Sequence, residues 1–248
     1  MPPLEVSSDT ALEGLRKIRA LAEIPDPALV EAVPMLKWLK LSKKEKLVTH
    51  LAAETSVYFL ISGKCRLALH TPGGRTIGFR RLAEGAHFGE IAALTGSPRT
   101  LDVTTVSDCV VAECPQDLFL SFMERYPKFA STVAISLART VAGLTERMFE
   151  LATLELRFRL YGELLRLAKE GAVVPEGVLI RDMPTQDMLA SAIGAGREPV
   201  SKEIGFLKST GLLKQKGREL LICDLDKIRR LMQERSGVAV SHVVDWPL

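Results

Sequence analysis

At 248 residues and 47% hydrophobic content the chain can fill one or two packed cores, which excludes a mostly disordered protein. Lys and Arg number 33 against 30 Asp and Glu, so the net charge of +3 is mild and any nucleic-acid surface has to come from local clustering. Aromatic residues at 6% argue against a chain that mainly stacks on single-stranded bases, and the four cysteines (Cys65, Cys109, Cys114, Cys223) lack metal-ligand spacing, so they read as buried or free thiols with no metal.

Residues 1–10 carry Glu5 and Asp9 but no basic and then apolar leader, and no apolar run approaches the roughly 18 residues of a membrane span. A cytoplasmic protein without a membrane partner is expected. Leu12–Ala22 and Pro27–Trp38 read as a helical preamble. From about Met35 to Ala112 the texture changes to short apolar runs cut by turn residues. Val57–Ile61 stands before Ser62-Gly63, Cys65–Leu69 before Thr71-Pro72-Gly73-Gly74, and further runs lie at Thr76–Leu82 and Val103–Cys114. That spacing predicts the short antiparallel strands of a sandwich or barrel.

Between Pro127 and Thr153 there is no further proline, and Val133, Leu137, Val141, Leu144, Met148 and Leu151 recur in steps of four and three, the seam of a heptad. A helix of about 27 residues spans roughly 40 Å, longer than a small core requires. With Arg139, Glu146, Arg147 and Glu150 on its flanks, the segment is expected to pair two copies of the chain as a coiled coil.

Leu156–Lys169 reads as a helix and Gly171–Gly177 as a Gly- and Pro-containing break. Thr185 is a plausible N-cap for a helix Gln186–Ile193, Gly194-Ala195-Gly196 is a tight turn, and a second helix is expected from Arg197 to about Ser209. Leu189, Ala190, Ile193, Val200, Ile204 and Leu207 would set the angle between them. Leu212-Leu213 and Leu220–Ile222, flanking Lys214, Lys216 and Arg218, predict a basic-tipped hairpin, or wing. The whole is expected to be an α+β fold of three segments: a β-rich domain (1–126), which the resemblance described next makes a β-roll of jelly-roll type, a long dimerisation helix (127–153) and a winged helix-turn-helix (154–248).

The run Phe88-Gly89-Glu90-Ile91-Ala92-Ala93-Leu94, followed by Pro98-Arg99-Thr100, resembles the phosphate-binding cassette of cyclic-nucleotide-binding domains. With the long helix and the helix-turn-helix, the chain resembles the CRP/FNR superfamily of bacterial transcription regulators from about Met35 to Leu231. The resemblance implies a cyclic nucleotide effector, cyclic AMP (cAMP) or cyclic GMP (cGMP), held by Gly89, Glu90, Ile91, Arg99 and Thr100. The chemistry suits those residue types: a cyclic phosphate needs a two-pronged permanent cation (Arg99), close backbone approach (Gly89) and an acceptor for the 2′-hydroxyl (Glu90). The free N–H groups of a short turn from Glu90 would also face the phosphate. Leu144 and Thr145 fall where cyclic-AMP-binding members carry two hydroxyl residues, so Leu144 leaves the base open and serves equally as a seam residue. A threonine in the place of Thr100 also occurs in cyclic-GMP binders.

Gly196-Arg197-Glu198-Pro199-Val200-Ser201-Lys202 resembles the family's recognition helix, with Arg197, Glu198 and Lys202 at base-reading positions. Arg or Lys donates to guanine and Glu accepts from cytosine. Pro199 is tolerated because the first turn of a helix has orphan N–H groups anyway. Glu203 departs from a usually apolar position. Thr185, Ser201, Lys208, Lys214, Lys216 and Arg218 are candidates for phosphate contacts, and Arg197–Arg230 holds nine basic against five acidic residues. The resemblance thus implies a homodimer on palindromic double-stranded DNA, with RNA polymerase as a further partner. A relative's iron–sulfur cluster would require N-terminal cysteines, and a haem type a Cys-x-His pair in the β-roll, both missing here; another small effector, or none, is the alternative. No nucleophile–base pair or carboxylate pair speaks for an enzyme. The segment Ser236–Leu248, with Val243-Val244-Asp245-Trp246, is apolar enough to pack back on the body.

Overall fold

The structure is a computed structural model and describes Leu4, residues 6–70 and residues 76–236. The predicted turn Thr71–Gly74 and the segment beyond Ser236 lie outside the described residues. The chain divides into two compact units, Met1–Leu137 and Ala138–Leu248.

In the first unit the preamble is shorter than its apolar pattern predicts. Helix α1 (Ser8–Arg16) starts at Ser7, whose hydroxyl accepts from the Thr10 N–H, and α2 (Asp26–Ala32) starts at Pro25. The first predicted helix breaks into α1 and a 3₁₀ segment, Arg19–Glu23; in the second, Pro34 holds the chain in a single 3₁₀ turn, Val33–Met35, and Trp38 then belongs to a strand rather than to a helix. The strands are β1 (Lys37–Leu41), β2 (Lys46–Val48), β3 (Val57–Ser62), β4 (Lys64–His70), β5 (Thr76–Ala83), β6 (His87–Phe88), β7 (Asp102–Thr105) and β8 (Cys109–Cys114). They form two antiparallel sheets, β1-β8-β3-β6 and β2-β7-β4-β5. The run Val103–Cys114, read as one stretch, is two strands that pair into different sheets.

The unbroken apolar run of β3 has a physical reason, since both of its faces are buried. Tyr58 and Leu60 point into the core between the sheets with Leu41, Cys65, Leu82, Phe88, Val103 and Val111. Val57, Phe59 and Ile61 face a second core built with α1, α2, α4 (Gln116–Arg125) and the start of α5 (Pro127–Thr153). Cys65, Cys109 and Cys114 are buried, Cys223 is half-buried and none is in a disulfide; burial pushes the Cys65 thiol up and holds Cys114 at about 12. These buried thiols are inert. Among the described residues no cluster of three or more metal-ligating side chains occurs, and no helix is long and apolar enough to cross a membrane.

Helix α5 runs over the predicted 27 residues, but its seam has two fates. Val133 and Leu137 pack into the core beneath β3. From Val141 onward the seam is exposed, with Val141 63%, Leu144 40%, Met148 71% and Leu151 50% accessible.

The second unit contains α6 (Leu156–Lys169), β9 (Ala172–Val174), β10 (Gly177–Ile180), α7 (Gln186–Ala192), α8 (Arg197–Ser209), β11 (Leu213–Lys216), β12 (Glu219–Ile222) and α9 (Leu225–Ser236). The predicted break at Gly171–Gly177 is instead a hairpin, extending the wing to a four-stranded sheet β11-β12-β10-β9. Pro175 and Glu176 make its turn, so the punctuation reverses the chain rather than ending its order. One core joins α6, α7, α8, the strands and Ile228 and Met232 of α9, an amphipathic helix that the sequence reading passed over.

Two charges expected to flank the seam turn inward. Arg166 Nη1 and Nη2 donate to the two carboxylate oxygens of Glu150 at 2.7 and 3.1 Å, and Arg166 Nε donates to Glu163 at 3.0 Å. Arg147 donates to Ala192 O, at the end of α7, at 3.3 Å. Arg166 on α6 draws Glu150 in because a fork that binds two carboxylates repays its own burial, while Arg147 is held by the Ala192 carbonyl and by Glu163 at 3.6 Å. Arg166→Met leaves Glu150, 3% exposed, buried beside no cation, and is expected to cost about 3–5 kcal/mol, read as a lower urea midpoint. An unchanged midpoint would show that the network adds no stability.

Candidate functional site

The cassette begins where β6 ends. Gly89 adopts φ +93°, conformational space that suits glycine, and leads into α3 (Glu90–Thr95); Gly96, φ +67°, ends it. A Cβ at Gly89 would lie 2.8 Å from Ser56 O and 2.7 Å from Arg99 Nη1, so backbone, loop and guanidinium meet there with no space to spare.

Arg99 is the centre of the arrangement. It is 2% exposed; Nη2 donates to Ser56 O at 2.7 Å, Nη1 to Gly89 O at 3.2 Å, and the guanidinium carbon sits 5.4 Å from the centroid of the Tyr58 ring. Tyr58 stacks on Phe88, and burial raises its phenol to about 12, so the ring under the cation stays neutral. Arg99, expected to offer an open fork, is therefore engaged by backbone carbonyls. The reason is that a buried guanidinium has to find acceptors, and the turn at Ser56 and the carbonyl of Gly89 are within reach. Among the described residues, Arg99 Nε and Glu90 Oε2 are buried atoms that have no hydrogen-bond partner.

The structure thus brings Gly89, Glu90, Ile91 and Arg99 together, with Ile91 39% exposed and Thr100 on the surface. Leu144 and Thr145 belong to α5 within the second unit; Leu144 is exposed and the Thr145 hydroxyl donates to Val141 O at 3.0 Å. Ser56 and Tyr58 were missed by sequence reasoning. Tyr58 lies inside an apolar run and Ser56 acts through its carbonyl, so neither side chain gives a signal.

In the second unit Thr185 caps α7 by accepting from the Met188 N–H at 3.3 Å, and Gly194, φ +63°, turns the chain into α8. Val200, Ile204 and Leu207 are buried along one row of α8. Arg197, Glu198 and Lys202 consequently point outward, Glu198 and Lys202 lining a shallow depression with Pro199 and Ser201. Arg197 faces Asp187 at 3.6 Å. Glu203, the departure, accepts from the Tyr161 hydroxyl of α6, which replaces an apolar contact by a hydrogen bond that fixes α8 on α6. In the wing, Lys208 donates to Gln215 at 2.5 Å and Arg218 pairs with Asp182 at 2.5 Å, while Lys214 and Lys216 are exposed.

A cyclic nucleotide-binding domain model matches residues 38–126, and a Crp-like helix-turn-helix domain model matches residues 158–231, together more than half of the chain. The chain belongs to the CRP/FNR family. It is similar to a CRP-like cAMP-activated global transcriptional regulator of Mycobacterium tuberculosis, 26% identical over 175 residues, covering 70% of this chain and 78% of the relative. The cAMP-activated global transcriptional regulator CRP of Haemophilus influenzae is 25% identical over 199 residues, covering 76% and 88%. Among solved structures, a CRP-family transcriptional regulator from Thermus thermophilus superposes with a TM-score of 0.63 at 27% identity, covering 81% of this chain and 97% of that one. A CooA variant from Carboxydothermus hydrogenoformans superposes with a TM-score of 0.72 over 82% of this chain and 90% of its own, and at 20% identity it speaks for the fold alone. This CRP/FNR protein is a DNA-binding transcription regulator that carries a cyclic nucleotide-binding domain, and is not an enzyme.

Gly89→Ala drives a methyl group into Ser56 O and forces a strained φ, and is expected to destabilise the first unit by about 1–3 kcal/mol, read as a lower Tm. A wild-type Tm would mean that the cassette turn relaxes freely.

Proposed function

We propose that the chain acts as a homodimer on a palindromic duplex, and that cAMP or cGMP bound at the cassette sets its DNA affinity. The observation that carries the nucleotide reading is the pair of buried atoms without partners, Arg99 Nε as donor and Glu90 Oε2 as acceptor. A bound cyclic nucleotide supplies a compact anion and a ribose hydroxyl, which such a donor and acceptor complement. Gly89 holds the backbone close, and the α3 turn directs N–H groups outward. To use its whole fork, Arg99 has to give up Ser56 O and Gly89 O. Binding is therefore coupled to a rearrangement of the loop, and it biases the protein only by the difference in affinity for the two arrangements.

A second reading, the same fold with another effector, is favoured by that engagement of Arg99. A solved relative in the fold is described as a c-di-GMP responsive regulator, and another carries OCPA. Titration calorimetry with cAMP and with cGMP decides between the readings. Binding of one that is lost in Arg99→Ala, with the dimer still folded, is expected; binding of neither would pass the β-roll to another ligand. Leu144 and Thr145 are the residues proposed to sort the base.

The exposed row Val141, Leu144, Met148 and Leu151 supports the homodimer, since apolar side chains at steps of three and four on one helix are covered by a second copy of the same helix. Met148→Glu is expected to yield a folded monomer in analytical ultracentrifugation; an unchanged dimer would move the interface elsewhere.

On DNA, Arg197, Glu198 and Lys202 would read base edges, while Thr185, Ser201, Lys208, Lys214, Lys216 and Arg218 would hold phosphates. Two recognition helices about 34 Å apart suit half-sites one helical turn apart. Arg197→Ala should cost about 1–3 kcal/mol on the preferred site and relax specificity at one position. Equal loss on every sequence would make Arg197 a phosphate contact instead.

A further inference from the structure

Among the described residues, two neighbours on α8 stand outside the core of the second unit. Gly205 lies in the interior of a 13-residue helix, where glycine is the least favourable residue after proline. Among the described residues a Cβ at Gly205 would meet nothing within 4 Å, so packing does not call for glycine there. Phe206 is 54% exposed, although Ile204 and Leu207, which flank the pair, are buried. An isolated exposed phenylalanine is ordinary, and the position of this one is what gives it meaning. At 3.6 residues per turn, Gly205 falls about 20° from Glu198 and Phe206 about 40° from Lys202, on the side of the helix opposite the buried row.

We infer that the DNA-reading face of α8 extends through Gly205 and Phe206, with the Phe206 ring packing on the C5-methyl group of a thymine in the major groove. This rests on the DNA-binding reading of α8 given above. The chemistry selects the target: a phenyl ring has no hydrogen-bonding group, and the thymine methyl is the one apolar feature that base pairs present in that groove. Gly205, on the row of Glu198, removes the side chain that would hold the helix backbone away from the groove wall. The helix thereby divides its work, charged residues on polar base edges in its first half and an apolar contact one turn further on.

The test uses the full chain and a duplex selected from a random pool, with cAMP or cGMP present, each thymine replaced in turn by deoxyuridine, which removes the methyl alone. At one position of each half-site the wild type is expected to bind about fourfold more weakly after replacement, the worth of one buried methyl group. Phe206→Ala should show a comparable loss on the unmodified duplex and no further loss on replacement at that position. Gly205→Ala should raise Tm and weaken binding. The inference is overturned if Phe206→Ala binds as the wild type does, or if its loss is the same whichever thymine is replaced. Arg197→Ala separates the two failures: if it weakens binding while the Phe206 comparison shows nothing, only the extension falls, and if it too has no effect, the DNA-binding reading of α8 falls with it.

Discussion

A guanidinium taken out of water needs an acceptor for its N–H groups, and Arg99 shows how one such requirement organises a unit. Its side chain draws Ser56 O and Gly89 O together, while its own backbone N–H donates to Ala52 O at 2.8 Å and its carbonyl accepts from the Leu51 N–H at 2.9 Å. Leu51 is held at φ +66°, a conformation costly for a branched side chain, and the bond to Arg99 helps to maintain it. The approach to β3, the start of α3 and the strand that follows are thus tied at a single cation. The same cation is the group that recognition of an anion would use, so on the proposed reading fold and function would draw on one resource in the first unit. A ligand phosphate would compete with backbone carbonyls already in place.

The second unit solves a different problem. Its outward face is left available, so its order comes from the inside: the Glu150–Arg166–Glu163 network, the Tyr161–Glu203 bond and the buried row Val200, Ile204 and Leu207. Glu203 illustrates the economy of this arrangement. A carboxylate on the side of α8 that approaches α6 would be costly if unpaired, and with the Tyr161 hydroxyl beside it the carboxylate specifies how the helix lies. Arg197, Glu198 and Lys202 then need no support beyond the helix that carries them.

The sequence made several of these features legible because they are local. Heptad steps gave the bounds of α5, Thr185 and Gly194 bracketed α7, and the spacing from Gly89 to Arg99 brought the cassette into view. Where the reading failed, the cause was a partner distant in the chain. Val103–Cys114 divides between sheets because β3 and β4 compete for its two halves. Gly171–Gly177 forms a hairpin because β12 offers an edge. Glu150 turns inward because Arg166 waits on another helix, and Arg147 because Glu163 and the Ala192 carbonyl do.

By itself the sequence determined which residues are the candidates for chemistry, since motifs and periodicity are properties of the chain: an arginine, a glutamate and a glycine in a run that resembles one cassette, and a charged row on one helix. Only the tertiary structure decided what each of them faces. It placed Ser56 and Gly89 carbonyls on Arg99, left Glu90 Oε2 and Arg99 Nε without hydrogen-bond partners among the described residues, buried Val133 and half-buried Leu137 while exposing Val141, Leu144, Met148 and Leu151, and set Phe206 on the outer face of α8. The physical reason is that burial and hydrogen-bond partnership are settled by groups far apart in sequence, and no local pattern encodes which carbonyl a side chain will meet.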